Sequence, residues 1–209
     1  MSGIVTQNAG RPSGLIKTAA ATGGGTWVEI KTLTASADST LSFVNGTADV
    51  VLDSTYPVYC FECINIHPAT DIASFQFNLS ADTGSNYNVT KTSAAFRAYH
   101  NEADSGAVLQ YAGEYDLAQA TGVQFFLYGI GNGNDESGSG YLYLFNPSST
   151  TFVKHYMLAG NVYEYSNYFV HYQIGGYANT TSAVDAIQFQ MSSGNIDTGK
   201  IKMFGIKDS

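Results

Sequence analysis

The sequence predicts an all-β protein: a single antiparallel β-sandwich, jelly-roll-like, of about ten strands, preceded by an extended N-terminal arm. Three observations lead there. Apolar residues recur with period two, the mark of a strand with one buried face. The apolar runs are separated by turn-formers such as Asn45-Gly46, Asp82-Thr83-Gly84 and Asn132-Gly133-Asn134-Asp135. Helical periodicity is poor throughout, so nothing is available to serve as a parallel crossover, and antiparallel sheets packed face to face are the simplest solution.

Taken in order, residues 1–25 differ from the rest. They hold Gly10, Pro12, Gly14 and a Thr22-Gly23-Gly24-Gly25 hinge, with one short apolar pair, Leu15-Ile16. Such a segment cannot form a core of its own and reads as an arm. Residues 26–209 then read as one domain. The clearest strand is 75–80, where Phe75, Phe77 and Leu79 share one side and Gln76, Asn78 and Ser80 the other. Ile187-Gln188-Phe189-Gln190-Met191 repeats the pattern. Weaker or two-sided apolar runs at 27–33, 41–44, 58–66, 125–130, 141–145, 152–158, 168–174 and 201–206 complete the set. The best helical stretch is 101–108, interrupted by Gly106, followed by a short turn at 116–120.

Composition narrows the function. The chain has 209 residues, long enough to bury a core without a staple. Its 12 Phe, 15 Tyr and 1 Trp mark it as globular. Charged residues are only 12%, about half the usual quarter, so the surface must be neutral and rich in hydroxyls and amides. A formal charge of −8 opposes a phosphate backbone, which argues against nucleic acid as a partner. No run of 18 apolar residues and no basic-then-apolar leader is present, so neither membrane insertion nor signal-directed export is expected.

Cysteine usage is a lone C-x-x-C, Cys60 and Cys63, with His67 as the nearest third candidate and no second pair. A zinc site needs about four ligands. On a strand, alternation would also put the two thiols on opposite faces, so they read as structural. The 131–140 loop gathers Asn132, Asn134, Asp135 and Glu136 among glycines, yet its spacing does not match a calcium-binding loop. The sequence contains no G-x-S-x-G, H-E-x-x-H, phosphate-binding or dinucleotide-binding motif, and no pair of acids is nominated for glycoside hydrolysis. No catalytic, cofactor or metal residue is assigned, and no enzyme is expected.

The opening Val5-Thr6-Gln7-Asn8-Ala9-Gly10-Arg11-Pro12-Ser13-Gly14-Leu15-Ile16-Lys17, the glycine hinge and Trp27-Val28-Glu29-Ile30 resemble the start of virion proteins from marine and freshwater tailed bacteriophages. The ending, with Ser193-Gly194-Asn195-Ile196, Gly199, Ile201 and Gly205-Ile206, resembles the closing hairpin of phage tail-fibre and capsid-surface modules. The resemblance implies β-sandwiches that assemble as trimers or larger rings on the particle surface. It further implies other virion proteins as partners and a virion location after synthesis in the host cytoplasm. A short chain without a shaft fits capsid decoration or a small fibre tip.

Two groups of residues follow as candidates. Arg11, Leu15, Ile16 and Lys17 form an assembly arm, the apolar pair to be buried on a neighbour and the cations to pair with acidic surface. Tyr141, Tyr143, Tyr163, Tyr165, Tyr168 and Tyr172 lie in the densest aromatic region, and tyrosine suits a core, a subunit interface and a sugar-binding groove alike. The expected function is structural, by assembly as a homo-oligomer, most simply a trimer. The alternative is a receptor-binding or lectin-like module that recognises host glycans.

Overall fold

The computed structural model describes residues 26–208. The predicted arm residues Arg11, Leu15, Ile16 and Lys17 lie outside them. The described chain contains no helix and folds into twelve strands: β1 (Trp27–Asp38), β2 (Thr40–Val44), β3 (Val58–Pro68), β4 (Ala73–Ser80), β5 (Lys91–Asn101), β6 (Ala107–Tyr111), β7 (Gln124–Ile130), β8 (Gly138–Phe145), β9 (Lys154–Glu164), β10 (Tyr168–Ala178), β11 (Ala186–Met191) and β12 (Ile196–Ile206). Ten match the predicted runs; β5 and β6 were not foreseen. They replace the helical candidate at 101–108. Asn101 Oδ1 accepts from the amides of Ser105 and Gly106 at 2.9 and 3.0 Å, and Asp104 takes a φ of 53°. Local side-chain bonding of this kind favours a turn over a helix.

Every strand pairing is antiparallel, in the order β1-β12-β3-β8-β9-β7-β4-β11-β2, with β10, β5 and β6 extending from the other edge of β9. The two ends of this path, β1 and β2, are consecutive in the chain and meet at residues 38–40. The sheet is therefore nearly closed into a barrel-like shape. The joint is narrow: β7 meets β9 only through Ile130 and Glu164, where β8 has already ended.

One core fills the interior. Phe189 on β11 is its hub, with ring centroids 5.5 Å from Phe75, 5.8 Å from Phe61 and 6.3 Å from Phe43 and Phe77. All five rings are fully buried. At one place the layers approach closely. A Cβ on Gly140 would stand 2.5 Å from the Ala159 carbonyl and 3.1 Å from the Phe126 ring, and one on Gly160 would stand 2.5 Å from Leu127. These glycines, directly paired across β8 and β9, let β7 seat Phe126 and Leu127 against the sheet.

Strand β4 departs from the predicted alternation. Gln76, Asn78 and Ser80, expected on an open face, are buried along with Phe77 and Leu79 between them. The 112–123 loop covers that side. Asn78 Nδ2 donates to the Thr121 carbonyl at 3.1 Å, and its Oδ1 accepts from buried Lys91. The same loop covers the second face of β7, where Tyr115 packs on Phe125 and Tyr128 at 5.6 and 4.7 Å. Phe125 and Tyr128 are thereby partly buried within the chain.

Candidate functional site

Register places an aromatic band on the outer face of the longer run of strands. Phe204, Cys60, Tyr143, Met157 and Gly175 are successive cross-strand neighbours on β12, β3, β8, β9 and β10. One step along, Lys202, Glu62, Tyr141, Ala159, Gln173, Phe96 and Tyr111 form a second row that continues through β5 to β6. Trp27 from β1 sets its ring edgewise against Phe204 at 5.7 Å and Tyr143 at 6.1 Å, and Tyr143 in turn meets Tyr141 at 5.3 Å. Trp27, Tyr141, Met157, Phe96 and Tyr111 are all exposed, each by about half, an amount of open ring surface that isolated surface residues do not produce.

Cys60 lies beneath this band and Cys63 belongs to the core, as alternation requires. Both thiols are free. Burial pushes the Cys60 thiol up to about 12 and raises that of Cys63 well above its ordinary value, so both stay protonated at neutral pH.

A shallow groove of about 340 Å³ crosses the same face beside Tyr141. Gly140, Ala159 and Gly160 lower its floor, and Glu62, Asn161 and His171 stand around it, His171 Nδ1 lying 2.8 Å from Asn161 Oδ1.

The six tyrosines predicted as one face divide among four environments. Tyr141 and Tyr143 form the outer band. Tyr163 continues that side of β9 and donates to Asn167 Oδ1 at 3.1 Å. Tyr165 is exposed in the turn between β9 and β10. Tyr168 points to the concave side, its ring 5.5 Å from Tyr99. Tyr172 is corrected outright: it is 1% exposed, packed on Tyr115 at 5.8 Å, and cannot meet a partner. Strand parity explains the split, because even-numbered residues of β10 face inward while Phe169, His171 and Gln173 face out.

Sequence reasoning missed a second hollow on the concave side, about 170 Å³ and lined by Arg97, Tyr99, Glu164, Tyr168 and Val170. Three strands build it, since Tyr99 pairs with Val170 and Tyr168 with Glu164. Arg97 Nη1 donates to Tyr115 Oη at 2.7 Å, and Nη2 lies 3.4 Å from Glu114. The Gln110 carbonyl, turned toward the guanidinium, accepts from Nη2 at 2.7 Å and Nε at 2.9 Å. The guanidinium also sits over the Tyr99 and Tyr115 rings at 5.5 and 5.3 Å. Its signal was hidden because Arg97 and Tyr99 lie on β5, where apolar and polar residues do not alternate cleanly.

In the 131–140 loop, Glu136 turns back and accepts from the Gly133 amide at 2.5 Å, so its carboxylate serves the loop's own backbone. Among the described residues no three His, Cys, Asp or Glu side chains gather to hold a metal, and no helix is long and apolar enough to cross a membrane. No family model, curated protein or solved structure matches the chain.

Proposed function

We propose that the protein is a non-enzymatic structural component of a tailed-phage virion surface, a capsid decoration or fibre-associated protein that acts by assembly. The observation that carries this reading is the open aromatic band from Trp27 to Met157 on a chain with few charges to keep such a surface solvated. Homo-oligomerisation covers the band, and the arm residues Arg11, Leu15, Ile16 and Lys17 engage a neighbouring subunit or another virion protein. Charge supports this. The first 25 residues carry two cations and no acid, while the remainder holds seven basic against 17 acidic residues. A jelly-roll-like sandwich is the architecture we assign. Its support is the way rings of the shorter strand run meet the longer one, Phe43 on Phe61 at 5.4 Å and Phe77 on Tyr156 at 5.4 Å.

The phage assignment rests on the resemblance of the opening and closing segments. A mass-spectrometric inventory of purified heads and tails tests it, with the chain expected among the external proteins and its absence from the particles overturning the assignment. Within the particle, Tyr143→Ser is expected to reduce incorporation of the folded protein. Unchanged incorporation would sink the role of the band.

A second reading is a receptor-binding module that recognises host surface glycans. The concave hollow at Tyr168, with rings, a carboxylate and a guanidinium around one small space, favours it.

A further inference from the structure

The hollow beside Tyr168 holds two opposite charges that do not neutralise one another. Arg97 is held in place by Tyr115, Glu114 and Gln110. Glu164 is tethered by Ser166 Oγ, which donates to its Oε2 at 2.7 Å. Its backbone is fixed as well, by pairing with Tyr168 and with Ile130. Gly129, at a φ of +69°, leaves room for the carboxylate, since a Cβ there would stand 3.1 Å from Oε1. Arg97 and Glu164 line one space without forming an ion pair, and Oε1 accepts from no donor among the described residues.

A ligand for this space must offer donors to a carboxylate and acceptors to a guanidinium, with an apolar patch for Tyr168 and Tyr99. An anion would meet Glu164 and the acidic body of the chain; a cation would meet Arg97. A neutral polyol meets neither objection. Sugar hydroxyls donate and accept at once, and the C–H face of a pyranose lies well on a tyrosine ring. The volume of about 170 Å³, roughly that of five or six waters, suits one sugar ring. Beyond Tyr168 a second hollow of about 350 Å³ is lined by Asn101, Glu102, Ser166 and Asn167, an amide- and hydroxyl-bearing place for a neighbouring ring.

We infer that this concave end of β5, β9 and β10 binds a neutral saccharide, with Glu164 accepting and Arg97 donating hydrogen bonds and Tyr168 as the ring platform. The inference rests on the second reading above and names its site and ligand class.

Saturation-transfer NMR on the full chain, with neutral gluco-, galacto- and manno-oligosaccharides beside sialylated and sulfated ones, tests it. Neutral saccharides are expected to bind in the millimolar range, as befits one small pocket. Glu164→Gln, at the rim and conservative in shape, is expected to weaken binding at least tenfold with an unchanged melting temperature. Tyr168→Phe is expected to retain binding and Tyr141→Ala to leave it untouched. Loss with Tyr141→Ala but not with Glu164→Gln would move the glycan to the outer face, overturning this site while leaving the receptor-binding reading. Binding of acidic glycans alone would overturn the ligand class. Binding of none would overturn both the inference and that reading.

Discussion

Lys91 shows what single residues contribute. Its ammonium is fully buried and donates to Asn78 Oδ1 and, at 2.8 Å, to the Val89 carbonyl, both neutral acceptors. Burial lowers its pKa from 10.5 to about 8. Below pH 8 the lysine is charged in both folded and unfolded chains. Between 8 and 10.5 the unfolded chain binds the extra proton, so this lysine's own contribution to stability rises with pH there, by roughly 3 kcal/mol at most. Lys154, also buried and bonded to the Phe152 and Thr180 carbonyls, shifts in the same direction. Burial raises the pKa of the Cys60 and Cys63 thiols from 9.0, so above about pH 9 the unfolded chain loses those protons first and stability falls, and the raised phenols of Tyr59, Tyr115, Tyr156 and Tyr172 steepen the fall above about pH 10. Urea unfolding from pH 7 to 11 is expected to show a maximum near pH 9, where the lysine gain meets the thiol loss. Lys91→Met is expected to flatten the rising limb. A wild-type midpoint that stays level or declines from pH 7.5 to 8.5, before the thiols titrate, would refute this account.

At the scale of elements, the paired glycines of β8 and β9 make a sharp test of the layer contact. Gly140→Ala forces a Cβ against the β9 backbone, the Ala159 carbonyl at 2.5 Å and Gly160 Cα at 2.7 Å, and is expected to cost roughly 1 to 3 kcal/mol or more. Gly175→Ala, on β10 with nothing within 4 Å of the added carbon, is expected to be neutral or slightly stabilising. Equal chemical denaturation midpoints for the two variants would contradict the close approach. The same elements show what the sequence makes legible. Strands such as β11, whose Ile187, Phe189 and Met191 face one way, announce themselves because one face is wet. Strand β5 does not: its Ala94, Ala95, Arg97 and Ala98 give no period, since cross-strand partners and a covering loop decide its burial. Strand β6 is a short exposed edge with Leu109 at 78%. The Trp27–Tyr143 band was partly foreseen through Tyr141 and Tyr143. The concave hollow was not, because its charged members come from β5 and from the far end of β9, whose adjacency is set by long-range register.

For the whole molecule, surface arithmetic points to association. Of the seven basic residues beyond the arm, Lys91 and Lys154 are buried, which leaves five on a surface carrying nearly all of 17 acids. Such a body repels a second copy unless apolar contact outweighs the charge. The outer band supplies that contact, its rows crossing β12, β3, β8, β9 and β10 with Trp27, Phe96, Tyr111, Tyr141 and Met157 each about half exposed. Cation-bearing arms from neighbouring copies would offset the remaining repulsion. Closed rotational symmetry consumes a band of this kind, whereas open head-to-tail contact would propagate into fibres. A closed homo-oligomer is the expected species in light scattering at micromolar concentration, and the resemblance of the terminal segments to phage surface modules implies a trimer, three chains of 22.3 kDa. Removing residues 1–24 is expected to weaken the trimer and to make what remains more sensitive to salt, because the arm's two cations are gone. Trp27→Ser combined with Tyr143→Ser is expected to yield a folded monomer, since both rings stand on the outer face and leave the Phe189 cluster intact. A wild-type chain that remains monomeric at 22.3 kDa through the highest soluble concentration would remove association through this band, and with it the physical basis for assembly as the protein's mode of action.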